Sequence, residues 1–197
     1  MGREKYLKKI EVLFNKSPVV NISSISRIIR SRKNVKQYPK QLIRNLILKG
    51  KIRSLTKGYY TIHEESSLAV FCFKPAYLGL QDALSYHNLW EQETIPIIIT
   101  SKKVRQGIRK ILGVNVLIRR IDKKYLFGFE YKKQGEFYLP LSDIEKTLID
   151  MIYFKHKLDL ELLKNFRRLI NEQKLKRYLS VYPQSTKKRV LQMLKKN

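Results

Sequence analysis

Leu7, Ile10, Leu13 and Phe14 recur at three- and four-residue intervals, which places them on one face of a helix ending near Asn15-Lys16-Ser17-Pro18. A second short helix follows, with Asn21 or Ser23 as its cap and Ile22, Ile25, Ile28 and Ile29 turned inward. The third begins around Tyr38-Pro39, is buried through Leu42, Leu46, Ile43 and Ile47, and stops at Gly50. Two strand-like runs, Lys51 to Leu55 and Tyr59 to Ile62, are then joined through Thr56-Lys57-Gly58, a hairpin turn. Three helices and a closing hairpin predict a winged helix-turn-helix over residues 1–63.

Beyond a polar break at His63-Glu64-Glu65-Ser66-Ser67 the pattern shifts to longer apolar runs, as in a second packed domain, 64–197. Leu68 to Phe73 fits strand or short helix equally well, and Gly79 to Leu89 reads as a helix with Leu80, Ala83, Leu84 and His87 inward. Ile95 to Thr100, Val114 to Ile121, Tyr125 to Tyr131 and Glu136 to Leu139 read as strands. Ser142 followed by Glu145 predicts a capping box opening a helix with Leu148, Ile149, Ile152 and Tyr153 on its buried side. Residues 158–197 predict a basic helical region of three helices, Leu158 to Ile170, Gln173 to Tyr182, and one from Ser185, with Leu169 and Leu191 among its apolar positions. The fold class expected is α+β: a winged helix-turn-helix, then a mixed α/β domain with a small mainly antiparallel sheet, then C-terminal helices.

Charge adds to this picture. The chain has 197 residues and a net charge of +26, which calls for an anionic partner. Residues 1–62 hold 16 Lys and Arg against Glu4 and Glu11, residues 63–150 are nearly neutral, and residues 151–197 are again strongly basic. Basic ends around a neutral middle suggest that the ends touch nucleic acid. The single cysteine, Cys72, lies in an apolar run and reads as a buried hydrophobe, which excludes an internal disulfide and fits a reducing cytoplasm. No apolar run nears the ~20 residues of a membrane span and no signal peptide is evident, so the expectation is a soluble cytoplasmic protein.

On this pattern the third helix is the natural recognition helix for double-stranded DNA. Arg and Gln make paired hydrogen bonds to guanine and adenine edges, which nominates Gln41 and Arg44 as base readers. Arg27, Arg30, Arg32 and Lys33 lie outside the second helix, and Lys36, Gln37, Tyr38 and Lys40 at the start of the third; these are candidate phosphate contacts. Arg53, Thr56 and Lys57 line the hairpin. A possible second nucleic-acid surface comprises Arg167, Arg168, Lys176, Arg177, Lys187, Lys188 and Arg189, which ordinary solvation explains equally well. A homodimer on paired half-sites is in keeping with such a fold, although no heptad marks an interface.

Catalysis is not expected. His63, His87 and His156 are scattered without metal-ligand spacing, and no phosphate loop, nucleophile elbow or Asp-x-Asp pair occurs. Asp82, Asp143, Glu145 and Asp150 resemble helix polarity and caps more than a catalytic dyad. No metal and no cofactor are called for.

Two blocks carry a family resemblance. Lys57-Gly58-Tyr59-Tyr60 is followed by Lys74-Pro75-Ala76-Tyr77-Leu78-Gly79-Leu80-Gln81-Asp82-Ala83-Leu84-Ser85-Tyr86-His87-Asn88-Leu89, and later by the run from Leu139 to Tyr153. In these blocks the chain resembles the AbiEi antitoxin family of abortive-infection systems. The resemblance implies an autoregulatory type IV antitoxin, with a winged helix on operator DNA and a C-terminal domain opposing a nucleotidyltransferase toxin encoded beside it. A stand-alone winged-helix regulator, or an RNA-binding factor without a toxin partner, is the alternative.

Overall fold

In the computed structural model, which describes residues 2–29 and 38–195, contacts divide the chain into two compact units: residues 1–72 with 110–114, and residues 73–109 with 115–197. The division falls after Cys72, not at 63. The apolar run that read as strand or short helix is a 3-10 helix, Ser66–Phe73, with Leu68, Ala69, Val70, Cys72 and Phe73 buried.

The first unit runs α1 (Gly2–Lys16), β1 (Val20–Asn21), α2 (Ile22–Ile29), α3 (Tyr38–Leu48), β2 (Arg53–Thr56) and β3 (Tyr59–Thr61). β3 is central, flanked antiparallel by β1 and β2, so Tyr60 faces Val20 on one side and Ser54 on the other. Asn21 is the cap of α2: its Oδ1 accepts from Ser24 N at 2.8 Å. Gly58, at φ 82°, makes the tight turn between β2 and β3, and its carbonyl accepts from Ile22 N at 2.8 Å, tying the hairpin tip to the start of α2. α3 closes through Gly50 N to Ile47 O and Lys51 N to Leu46 O, both 2.9 Å.

Ile10, Phe14, Val20, Ile25, Ile29, Ile43, Leu46 and Ile52 form the core of this unit. Each such side chain contributes about 1.5–3 kcal/mol by leaving water. The expected inner face of α3 needs correction. Burial passes through Pro39, Ile43 and Leu46, leaving Leu42 half-buried and turning Ile47 outward at 39% exposure.

In the second unit and its sheet the order is β4 (Ala76–Leu78), α4 (Gln81–Tyr86), β5 (Ile97–Thr100), β6 (Gly107–Ile111), β7 (Val114–Arg120), β8 (Phe129–Gln134), β9 (Phe137–Ser142), α5 (Ile144–Tyr153), α6 (Leu160–Leu169), α7 (Glu172–Leu179) and α8 (Gln184–Lys195). The six strands lie in the order β6-β7-β5-β4-β9-β8. The sheet is mixed, with antiparallel pairing the more extensive. β5 runs parallel to β7 and β4 parallel to β9, whereas β4–β5 and β8–β9 are antiparallel. Parallel neighbours need long connections, and the one between β4 and β9 includes α4 and four strands.

Other expectations shift locally. Tyr125 belongs to a short 3-10 turn, Lys123–Tyr125, not to a strand, and α4 spans only six residues. The cap of α5 is Asp143, whose Oδ1 accepts from Lys146 N at 2.8 Å. Ser142 is the last residue of β9 and its hydroxyl bonds Thr147 Oγ1 at 2.8 Å, while Glu145 Oε1 accepts from Asn171 N at 2.8 Å, so neither forms the predicted capping box. α5 is buried continuously from Glu145 to Ile152, packed with Tyr77, Leu84, Phe166, Leu175, Leu179 and Val190. Leu169 and Leu191, expected on the inner face, are 49% and 42% exposed.

Candidate nucleic-acid interface

α3 presents its polar residues on one stripe. Lys40, Gln41, Arg44 and Asn45 are all exposed at three- and four-residue spacing, opposite buried Pro39, Ile43 and Leu46. The helix carries no acidic residue. The two expected base readers, Gln41 and Arg44, thus share the outer face with Lys40. Tyr38 is half-buried instead, its ring edge-on to Tyr6 with centroids 6.4 Å apart. It serves packing at the first turn of α3, and Tyr6 on α1 is its partner.

Arg27 is exposed in the last turn of α2 and Lys57 at the hairpin tip; Thr56 beside it is half-buried. Arg30, Arg32, Lys33, Lys36 and Gln37 lie outside the described residues. Arg53 does not stand as a bare cation. Its guanidinium pairs with the Glu64 carboxylate, and Nη1 lies 3.5 Å from Ile62 O. The charge at the hairpin edge is thereby committed to fastening the start of β2 to the segment that follows β3. Lys51 and Glu11, 3.6 Å apart, form an exposed pair of the kind worth at most about 1 kcal/mol.

The basic positions nominated in the C-terminal region are distributed over three helices. Arg167 and Arg168 are on α6, Lys176 and Arg177 on α7, and Lys187, Lys188 and Arg189 on α8. Arg167 and Lys187 are half-buried and the other five exposed. Lys176 lies 3.9 Å from Glu172, and the Arg177 guanidinium stands 5.8 Å from the centre of the Tyr178 ring.

Sequence reasoning missed an enclosed ion pair. Lys146 and Asp150, one turn apart on α5, are both fully buried and salt-bridged to each other. Lys146 Nζ also donates to Tyr182 OH at 3.0 Å, and lies 5.4, 5.6 and 5.7 Å from the ring centres of Tyr77, Phe127 and Tyr182. Tyr77 OH donates to Asp150 Oδ2 at 2.7 Å. Burial pushes the Lys146 ammonium below its ordinary range and the Asp150 carboxyl above its own, while each partner's charge works against that drift. Burial, reinforced by Asp150, raises Tyr77 as well. The available signal was the i, i+4 spacing of Lys146 and Asp150 within an otherwise apolar run.

A second, shallower set surrounds the N-terminus of α5. Lys174 Nζ reaches Asp143 at 3.0 Å and Glu145 at 3.1 Å, and Tyr178 OH donates to Asp143 Oδ2 at 2.8 Å. Desolvation, helped by Asp143, pushes Tyr178 up to about 12. Desolvation alone would lower Lys174, but its bonds to Asp143 and Glu145 outweigh that and hold it above its ordinary value. His87 Nε2 lies 2.8 Å from Ser142 O. The two blocks that carry the family resemblance therefore meet in space: Tyr77 touches Asp150, His87 touches Ser142, and Leu78 pairs with Leu141 in the sheet.

Among the described residues no helix is long and apolar enough to cross a membrane. Neither the protein-family models nor the curated proteins contain a match to the chain. Among solved structures it is similar to the RV2827C protein from Mycobacterium tuberculosis, known from a crystal structure, with a TM-score of 0.62 and 15% identity over 96% of this chain and 76% of that one. At that identity the likeness is one of fold.

Proposed function

We propose that the chain is a DNA-binding transcriptional regulator that reads duplex DNA through α3, and that it is the autoregulatory antitoxin of a type IV system of the AbiEi kind. One observation carries the first half: Lys40, Gln41, Arg44 and Asn45 form an exposed stripe free of acidic neighbours on α3. The order α1-β1-α2-α3-β2-β3, with β1 added to the hairpin, supports a winged-helix reading. In this reading Gln41 and Arg44 meet base edges, Lys40 and Arg27 meet phosphates, and Lys57 at the hairpin tip reaches the backbone. The role is non-catalytic: Asp143 and Asp150, with Glu145 between them, are engaged by helix N–H groups, Lys146 and Lys174.

The antitoxin half rests on the sequence resemblance. Titrating labelled duplex from upstream of the chain's own gene tests the first half. Arg44→Ala should cost about 1–3 kcal/mol on that duplex and relax discrimination at one position. Lys40→Ala should weaken all duplexes alike and reduce the salt slope by about one. Equal losses for both variants on cognate and random duplex, or tighter binding to structured RNA at matched salt, would overturn the reading. Co-expression with a nucleotidyltransferase encoded beside the gene tests the second half; failure of the parent protein to restore growth would remove it.

A further inference from the structure

The helices at the C-terminal end of the second unit leave an open groove of 440 Å³ along α6, α7 and α8. Its apolar surface is supplied by Ile170, Leu175, Leu191 and Leu194. Leu175 is buried, whereas Leu191 stands 42% exposed, the position at which the amphipathic reading of α8 failed. Around this strip lie Arg167, Lys176 and Lys195, against which the single acid Glu172 is set. Glu172 and Lys176 are 3.9 Å apart with both side chains mostly in water, so their pairing cancels little of the field. An aliphatic floor inside a cationic rim has a size that ligand-binding clefts share.

We propose that this groove receives an acidic amphipathic helix of a partner protein. Leucine-like anchors spaced at i, i+3, i+4 and i+7 would fill the aliphatic strip while flanking carboxylates meet Lys176 and Lys195. The floor residues are all aliphatic, and single-stranded nucleic acids hold their bases on aromatic faces, so the lining favours a peptide over a nucleic acid. A second copy of this chain would bring its own cationic α6 and α7 against the same rim, because the last turns of both helices are basic. No residue of α3 lines the groove.

The test uses the full chain and a fluorescent helical peptide of about 16 residues with leucines at the anchor spacing and glutamates between them. The patterned peptide should bind at least about tenfold more tightly than its scrambled form, and Leu191→Glu should weaken it by at least about tenfold. Lys176→Glu combined with Lys195→Glu, both exposed, should weaken it comparably and leave the melting temperature unchanged, which guards against misfolding of the leucine variant. Lys133→Glu, on β8, should leave binding within about twofold. Equal binding of the scrambled peptide, insensitivity to Leu191→Glu, displacement by duplex or structured RNA that depends on Leu191, or a dimer in sedimentation that Leu191→Glu dissociates would each overturn the proposal.

Discussion

Replacing Lys146 by Met tests the enclosed ion pair most directly. The side chain has no exposure, so its methylenes are replaced with little change in volume, but Asp150 loses the cation that holds it. Tyr77 OH still donates to Asp150 Oδ2 at 2.7 Å, leaving a carboxylate with one donor in a site lined by Tyr77, Phe127 and Tyr182. Removing one member of a buried pair costs about 3–5 kcal/mol, because the survivor stays desolvated or must bind a proton. Loss of the contacts between the ammonium and the rings adds to this by as much as about 2 kcal/mol. Lys146→Met combined with Asp150→Leu removes both charges and should recover much of the loss, short of what Tyr77 and Tyr182 forfeit when their hydroxyls lose a partner. Urea denaturation followed by near-ultraviolet circular dichroism reads the second unit through its tyrosines. Midpoints of Lys146→Met and the parent within experimental error would refute the reasoning, as would a double variant less stable than the sum of the singles.

Three further expectations follow from local geometry. Burial pushes Asp82 from its ordinary 3.8 up to about 7 while Ile97 N donates to its Oδ2 at 3.3 Å; the protonated form is favoured in the folded chain, so stability present below pH 4 falls as pH rises through 7, by up to about 4 kcal/mol. Asp82→Asn should flatten that slope, and a pH series of denaturation midpoints unchanged by the substitution would dismiss the assignment. Gly128, at φ 70°, has no room for a methyl group: an added Cβ would stand 2.8 Å from Tyr178 Cε2 and 2.9 Å from Lys146 Cβ, so Gly128→Ala should cost more than about 1 kcal/mol, read as a lowered melting temperature. On duplex DNA, Arg53→Ala should alter affinity less than Lys57→Ala, since Glu64 already engages Arg53; a larger loss for Arg53→Ala in a fluorescence titration would reverse that ranking.

Short-range pattern made the first unit legible. The inward residues of α1 and α2, the Asn21 cap and the Lys57-Gly58 turn depend on neighbours a few positions apart, and the sequence shows those neighbours directly. The second unit depends on partners far along the chain. β4 is three residues long and β6 has an exposed Ile108 between half-buried neighbours, so neither announces itself, and nothing local indicates that Leu78 pairs with Leu141 in parallel. Ser142 competes for the cap of α5 on paper, but the end of β9 claims it and passes the role to Asp143. Within the candidate interface, exposure of Gln41 and Arg44 follows from helical spacing, whereas the diversion of Arg53 to Glu64 depends on how the chain turns after β3. Lys146 was the hardest to read, because a lysine beside a glutamate ordinarily signals solvent and only the tertiary enclosure by Phe127 and Tyr182 reverses that sense.

The parallel seam between β4 and β9 bears on synthesis. As the polypeptide leaves the ribosome, β4 has an open flank until β9 has been made some sixty residues later, and the ammonium that Tyr77 shelters arrives only with α5. Such distant pairing slows folding and exposes intermediates to aggregation. Polypeptides cut short before Ser142 will leave β4 bare on that flank and should be cleared by proteases, while the amino-terminal helices, assembled from near neighbours, can take shape early.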